Sequence, residues 1–84
     1  MTEKEIGKVT DFFAHPVVAG IEVKGKLKVG EKIHIAGHTT DIEMVVTSMQ
    51  IDRKNVSEAK KGQDIGIKVP DRVRHGDTVY KVTD

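Results

Sequence analysis

Residues Gly25 to Gly37 read GKLKVGEKIHIAG, an alternation of apolar and charged residues interrupted once by a glycine. Side chains alternate faces along a strand, so Leu27 and Val29 are predicted to face a core while Lys26 and Lys28 face water. Beyond Gly30 the same holds for Ile33 and Ile35 against Lys32 and His34. Gly30 is the pivot, because glycine takes φ > 0 without a Cβ clash and lets the chain reverse with both apolar rows on one side. The stretch predicts two short β-arms around which the rest of the chain is arranged.

Working outward, Ile6 to Phe13 is rich in β-branched and aromatic residues, lacks helix caps and predicts a strand, although Val9 and Phe13 are out of phase with Ile6 and Phe12. His15-Pro16 ends it, since proline has no N–H and biases the preceding residue to extended geometry. Val17 to Val23 is a second strand, in which Gly20 marks a bulge or a close backbone approach. Gly37 to Asp41 has turn chemistry and leads into the longest predicted strand, Ile42 to Asp52. There Ile42, Met44 and Val46 share one phase and Met49 and Ile51 the other, which predicts a β-bulge at Thr47-Ser48. Arg53 to Asn55 and Lys60 to Asp64 read as polar turns, and Val56 to Ala59 is too short for a stable helix. Ile65, Ile67 and Val69 alternate cleanly, and Pro70 to Asp77 connects to a last strand, Thr78 to Val82. About six strands and no helix predict an all-β fold, a closed Greek-key barrel.

At 84 residues and 9.3 kDa the chain suits one domain spanning 1–84, with residues 1–5 expected to be a flexible N-terminus. With no cysteine there is neither a disulfide nor a cysteine zinc site. The charged start, MTEKEIGKV, and the lack of any run near the roughly 18 apolar residues of a membrane span predict a soluble, cytoplasmic protein. Fourteen Lys and Arg against thirteen Asp and Glu leave a formal charge of +1, so no global field draws the protein to nucleic acid and any basic surface is a local patch. Abundant Lys and Glu beside Val and Ile resemble hyperthermophile composition. Phe12, Phe13 and Tyr80 are the only aromatics, too few for a base-stacking platform.

The order of these pieces resembles domain II of the translational GTPases, the β-barrel of the elongation factor Tu type. Leu27 to Glu31 followed by Ile33, Ile35 and Gly37 looks like that family's central hairpin, Val46 to Ile51 like its long bent strand, and Ala59 to Gly66 like its A-x-x-G-[DQ]-x-[VI]-G element. No G-x-x-x-x-G-K-[ST] is present, so neither nucleotide binding nor GTP hydrolysis is expected. The barrel is similar as well to the C-terminal accessory domain of collagenase-like peptidases. The first resemblance implies a binding module associated with structured RNA or the ribosome in translation; the second implies a protein-binding accessory barrel docked on a larger enzyme.

Candidate chemistry is sparse. Lys24, Lys26 and Lys28 alternate outward and, with Arg53 and Lys54, are the candidate RNA-binding residues. The same lysines equally suit an edge that blocks strand-to-strand aggregation, and Glu22 and Glu31 interrupt the strip. Lys60-Lys61 and Arg72-Arg74-His75 are further basic clusters. His34 and His38 stand four apart, but on a strand and its turn they share no face, so solvent-facing histidines are expected and no metal site. His75 beside Asp77 has the look of a base and its orienter, yet no nucleophile accompanies it. No catalytic residue, metal or cofactor is expected.

Overall fold

The computed structural model of the protein describes residues 2–14 and 17–83. The predicted loop at His15-Pro16 lies outside them. Ten strands follow one another with no helix among the described residues: β1 (Thr2–Ala14), β2 (Val17–Val23), β3 (Leu27–Lys28), β4 (Lys32–Ala36), β5 (Asp41–Val45), β6 (Met49–Ile51), β7 (Lys54–Val56), β8 (Glu58–Ala59), β9 (Asp64–Lys68) and β10 (Thr78–Thr83). Eight form one antiparallel sheet in the order β5-β4-β10-β1-β2-β9-β6-β7, and β3 pairs with β8 in a separate ribbon.

The long first strand shows why the sheet wraps a core. Drawn straight, its 13 residues would reach about 40 Å, yet the longest dimension of the molecule is 32 Å. β1 therefore bends, and its pairing is irregular at two places, between Glu5 and Gly7 against β10 and between Val9 and Asp11 against β2. Each irregularity inserts a residue and resets the alternation. That is why Ile6, Val9 and Phe12, three residues apart, all turn to the same side. Gly20 faces the second irregularity, and a Cβ there would stand 3.0 Å from the Cβ of Asp11; of the two predicted readings, close approach holds, and the bulge lies on the partner strand.

The core holds Ile21, Leu27, Ile33, Ile35, Met49, Ile67, Val73 and Val79, all essentially sealed from water. At roughly 1.5–3 kcal/mol for each fully buried aliphatic side chain, this cluster supplies the main favourable term in folding. The predicted inward positions Ile33, Ile35, Ile65 and Ile67 are all part of it. Val29 is not, being 39% exposed.

The expected closed six-stranded barrel is corrected to an open sheet. The Gly25–Gly37 stretch does make two arms around Gly30, whose φ is +96°, but the arms do not pair with each other. β3 joins β8 through Leu27 and Ala59, whereas β4 lies between β10 and β5. The predicted strand 42–52 carries more than a bulge: it breaks at residues 46–48, and β5 and β6 go to different ends of the sheet. Val46 is held at the break, donating its N–H to the Glu31 carbonyl (2.9 Å) and accepting that of Gly30 (2.7 Å). The phase change in the sequence was real, and its cause is a strand that leaves one ladder for another. Residues 2–5, expected to be a flexible terminus, pair with 80–83 of β10. Among the described residues no helix is long and apolar enough to cross a membrane.

Candidate functional site

The five residues predicted to meet RNA fall into two groups. Lys24 and Lys26 are exposed on the connection between β2 and β3, and Lys28 is exposed at the end of β3; Lys24 and Lys61 line one shallow depression with Glu22. Arg53 and Lys54 sit at the β6–β7 hairpin, whose turn residues Asp52 and Arg53 both have positive φ (52° and 65°). Arg53 borders a recess shared with Asp11, Asp52 and Asp64, so its surroundings are acidic. Glu31, which interrupts the lysine strip, fixes the turn it belongs to, since Oε1 accepts the Lys28 N–H (2.7 Å) and Oε2 pairs with Lys81 Nζ (2.5 Å).

Among the described residues, His34 is the one histidine held by carboxylates. From β4 its ring reaches Glu3 of β1, across β10, and Asp41 of the neighbouring β5, with Nδ1 3.0 Å from Glu3 and Nε2 2.5 Å from Asp41 Oδ1. Hydrogen bonding to Glu3, then to Asp41, raises its pKa above 6.5 against the opposing effect of burial. The two carboxylates sit on opposite ring nitrogens and do not converge on a cation; among the described residues no group of three potential ligands could hold a metal. The His75–Asp77 pair does not form either. Asp77 is buried and its Oδ2 accepts the Arg74 N–H (2.8 Å), while His75 is exposed.

A third region was missed by sequence reasoning. β9 ends at Lys68, and Pro70, lacking an N–H, cannot extend the ladder. The chain then runs beside the β1–β2 hairpin, pinned by the buried side chain of Val73. Its neighbours Asp71, Arg72, Arg74 and His75 remain exposed. The result is a groove lined by Phe12, Ala14, Val17, Pro70, Asp71 and Arg72, continuing past Arg74 and His75. Phe12 is half-buried with the Arg72 guanidinium 6.0 Å above its ring. Phe13 and Val17 are 54% and 38% exposed at the same end. The sequence held both halves, Phe12 and the Arg72-Arg74-His75 cluster, but some sixty residues apart with no local signal joining them.

No protein-family model matches the chain. It is 49% identical over 77 residues, 90% of its length, to an uncharacterized protease of Methanocaldococcus jannaschii, covering 19% of that protein. It is 35% identical over 78 residues, again 90% of its length, to a collagenase of Porphyromonas gingivalis, covering 22% of it. The chain thus spans about a fifth of the curated relatives it matches. Two crystal structures of the C-terminal domain of a Geobacillus thermoleovorans protein described as a U32 peptidase superpose on it with TM-scores of 0.89 and 0.86, covering 95% and 90% of this chain and 93% and 96% of theirs, at 13% identity. These findings overturn the expected translation role, with its RNA and ribosome association: the similar sequences belong to a protease and a collagenase. The chain is similar to a segment of larger proteins of the collagenase and protease kind, and its fold is that of a U32 peptidase's C-terminal domain.

Proposed function

We propose that the chain acts as a non-catalytic, protein-binding accessory domain of a larger peptidase. The observation that carries this reading is the match of nearly the whole chain, at 49% identity, to only a fifth of a protease. The side-chain contacts agree: the buried Asp77 is turned to a backbone N–H, and both nitrogens of the His34 ring are engaged, by Glu3 and Asp41. Neither leaves a base free to activate a nucleophile.

The test uses the Methanocaldococcus jannaschii protease expressed without its matching segment. The present chain, added in trans, should co-elute with that truncated protein and raise its rate of peptide hydrolysis. A truncated protease that neither binds the chain nor changes its rate would overturn the reading, as would gelatin degradation by the 84-residue chain alone.

A further inference from the structure

We propose that Glu3, His34 and Asp41 form a proton-operated latch on the edge strand β5, closed while both ring nitrogens of His34 carry protons and opening on the Asp41 side when Nε2 gives its proton to water. β5 is the end strand of the sheet, laddered to β4 on one side and to nothing among the described residues on the other. Its first residue is Asp41, directly after the turn in which the Gly37 N–H donates to the Thr40 carbonyl (2.8 Å). Through His34 that residue is tied to β4, and through Glu3 the tie runs on across β10 to β1. One ring thus joins the edge of the sheet to its middle.

The switching follows from the number of donors. An imidazolium has two N–H donors, whereas a neutral imidazole has one donor and one lone pair. Nδ1 stands 3.0 Å from both Glu3 oxygens and Nε2 2.5 Å from Asp41 Oδ1, so the protonated ring donates to each carboxylate. Once neutral, it leaves one carboxylate against a lone pair, acceptor facing acceptor, and that contact is lost. Exposure decides which one. The Asp41 side chain is 85% exposed and free to swing out to solvent, whereas that of Glu3 is 36% exposed. The remaining proton therefore sits on Nδ1, toward Glu3.

No neighbouring charge among the described residues takes over the tie. On the same face of the sheet, Glu43 lies opposite His34 on β5 but is held by Lys32 of β4 (3.1 Å). Tyr80 lies opposite His34 on β10, its ring 6.1 Å away, and Glu5 and Lys8 of β1 lie beyond Tyr80 and Thr78. Lys4 and Lys81 alternate to the other face, where Lys81 has its amine on Glu31. The hydrogen bonds to Glu3 and then Asp41 favour the charged ring and raise its pKa above 6.5, so the latch is closed in mildly acidic solution and opens toward alkaline pH. With it open, the start of β5 keeps only its ladder to β4 and the half-buried side chain of Ile42.

The test follows the isotope-labelled 84-residue chain by NMR from pH 5.5 to pH 9. Ring correlations of His34 should show protons on both nitrogens at the acidic end and on Nδ1 alone at the alkaline end. The hydrogen bonds of Thr40 with Gly37 and of Val46 with Glu31 place the even-numbered amides of β5 toward β4, so the Ile42 amide reports on the edge. Its protection from hydrogen exchange, corrected for the intrinsic effect of pH, should fall about two- to fivefold as His34 loses its proton, the range of an exposed ion pair. The amides of β7, at the opposite edge of the sheet, should hold level. Asp41→Ala should give the lower protection across the whole range. Glu3→Gln should keep the latch closed throughout, because the amide donates to Nδ1 and leaves the ring proton on Nε2 for Asp41. His38→Gln, in the exposed turn, should change nothing. A neutral ring protonated at Nε2 in the unaltered chain, Ile42 protection that stays level through the titration, a pH-dependent loss that survives Asp41→Ala, or a Glu3→Gln chain that opens like the unaltered one overturns the latch.

Discussion

Gly37 and Asp77 touch across the sheet so closely that a methyl group on Gly37 would overlap Asp77 Oδ1. Asp77 cannot swing away without cost, because it is buried and its other oxygen accepts the Arg74 N–H. Gly37→Ala should therefore destabilise the fold by about 1–3 kcal/mol, the usual cost of overpacking. Gly66→Ala is the control: its Cβ would meet only Val18 Cγ1 at 3.4 Å, and stability should move by less than about 0.5 kcal/mol. Urea unfolding of the two variants decides, and equal effects would refute the contact.

The His34 cluster predicts a pH dependence whose sign follows from its partners. The folded pKa lies above 6.5, so the contribution is fully present below pH 6.5 and is lost as pH rises through the folded pKa. The stability advantage of wild type over His34→Gln should accordingly be larger at pH 5.5 than at pH 8.5, with Glu3→Gln shrinking the difference. An advantage that grows with pH would contradict the geometry.

The corrected burial pattern separates two neighbours in one stretch. Ile33→Ala or Ile67→Ala, each removing a sealed core side chain, should cost about 2–5 kcal/mol. Val29→Ala, at a position 39% exposed, should stay within about 0.5 kcal/mol. Equal losses at positions 29 and 33 would restore the hairpin that the alternation suggested.

Neither GTP nor GDP should bind. The sequence contains no glycine loop followed by Lys and Ser or Thr to cradle a β-phosphate. Calorimetry with either nucleotide should register no heat of binding, and a micromolar Kd would reverse the expectation.

The strands were legible wherever period and burial coincide. Val17–Val23 emerges with the predicted bounds, and Ile33, Ile35, Ile65 and Ile67 all enter the core. Partner choice was not legible, because alternation says which face of a strand is buried and nothing about its neighbour. Leu27 looks the same in sequence whether β3 pairs with β4 or with Ala59. The phase slips at Ile6, Val9 and Phe12 were visible, but two bulges within one strand read locally as poor alternation. The groove was hidden for a different reason: Phe12 and Arg72 meet only after β9 has docked on β2 and the chain has turned at Pro70. The lysines were conspicuous because charge is visible residue by residue, whereas the carboxylates that engage His34 come from strands 31 residues before it and seven after it.

The placement of β10 bears on how the molecule is made. This last strand lies between β4 and β1, so the middle of the sheet joins the beginning of the chain to its end. During synthesis β1, β2 and β9 can assemble on one side and β4 with β5 on the other, each with half of its apolar face in water. Only when residues 78–83 emerge can the two halves become one sheet. Pairings so remote in sequence carry a high loop-closure cost and slow folding. The fold therefore stays dependent on residues 78–83, and a chain cut before Thr78 would hold two unjoined parts of a sheet instead of a slightly shorter domain.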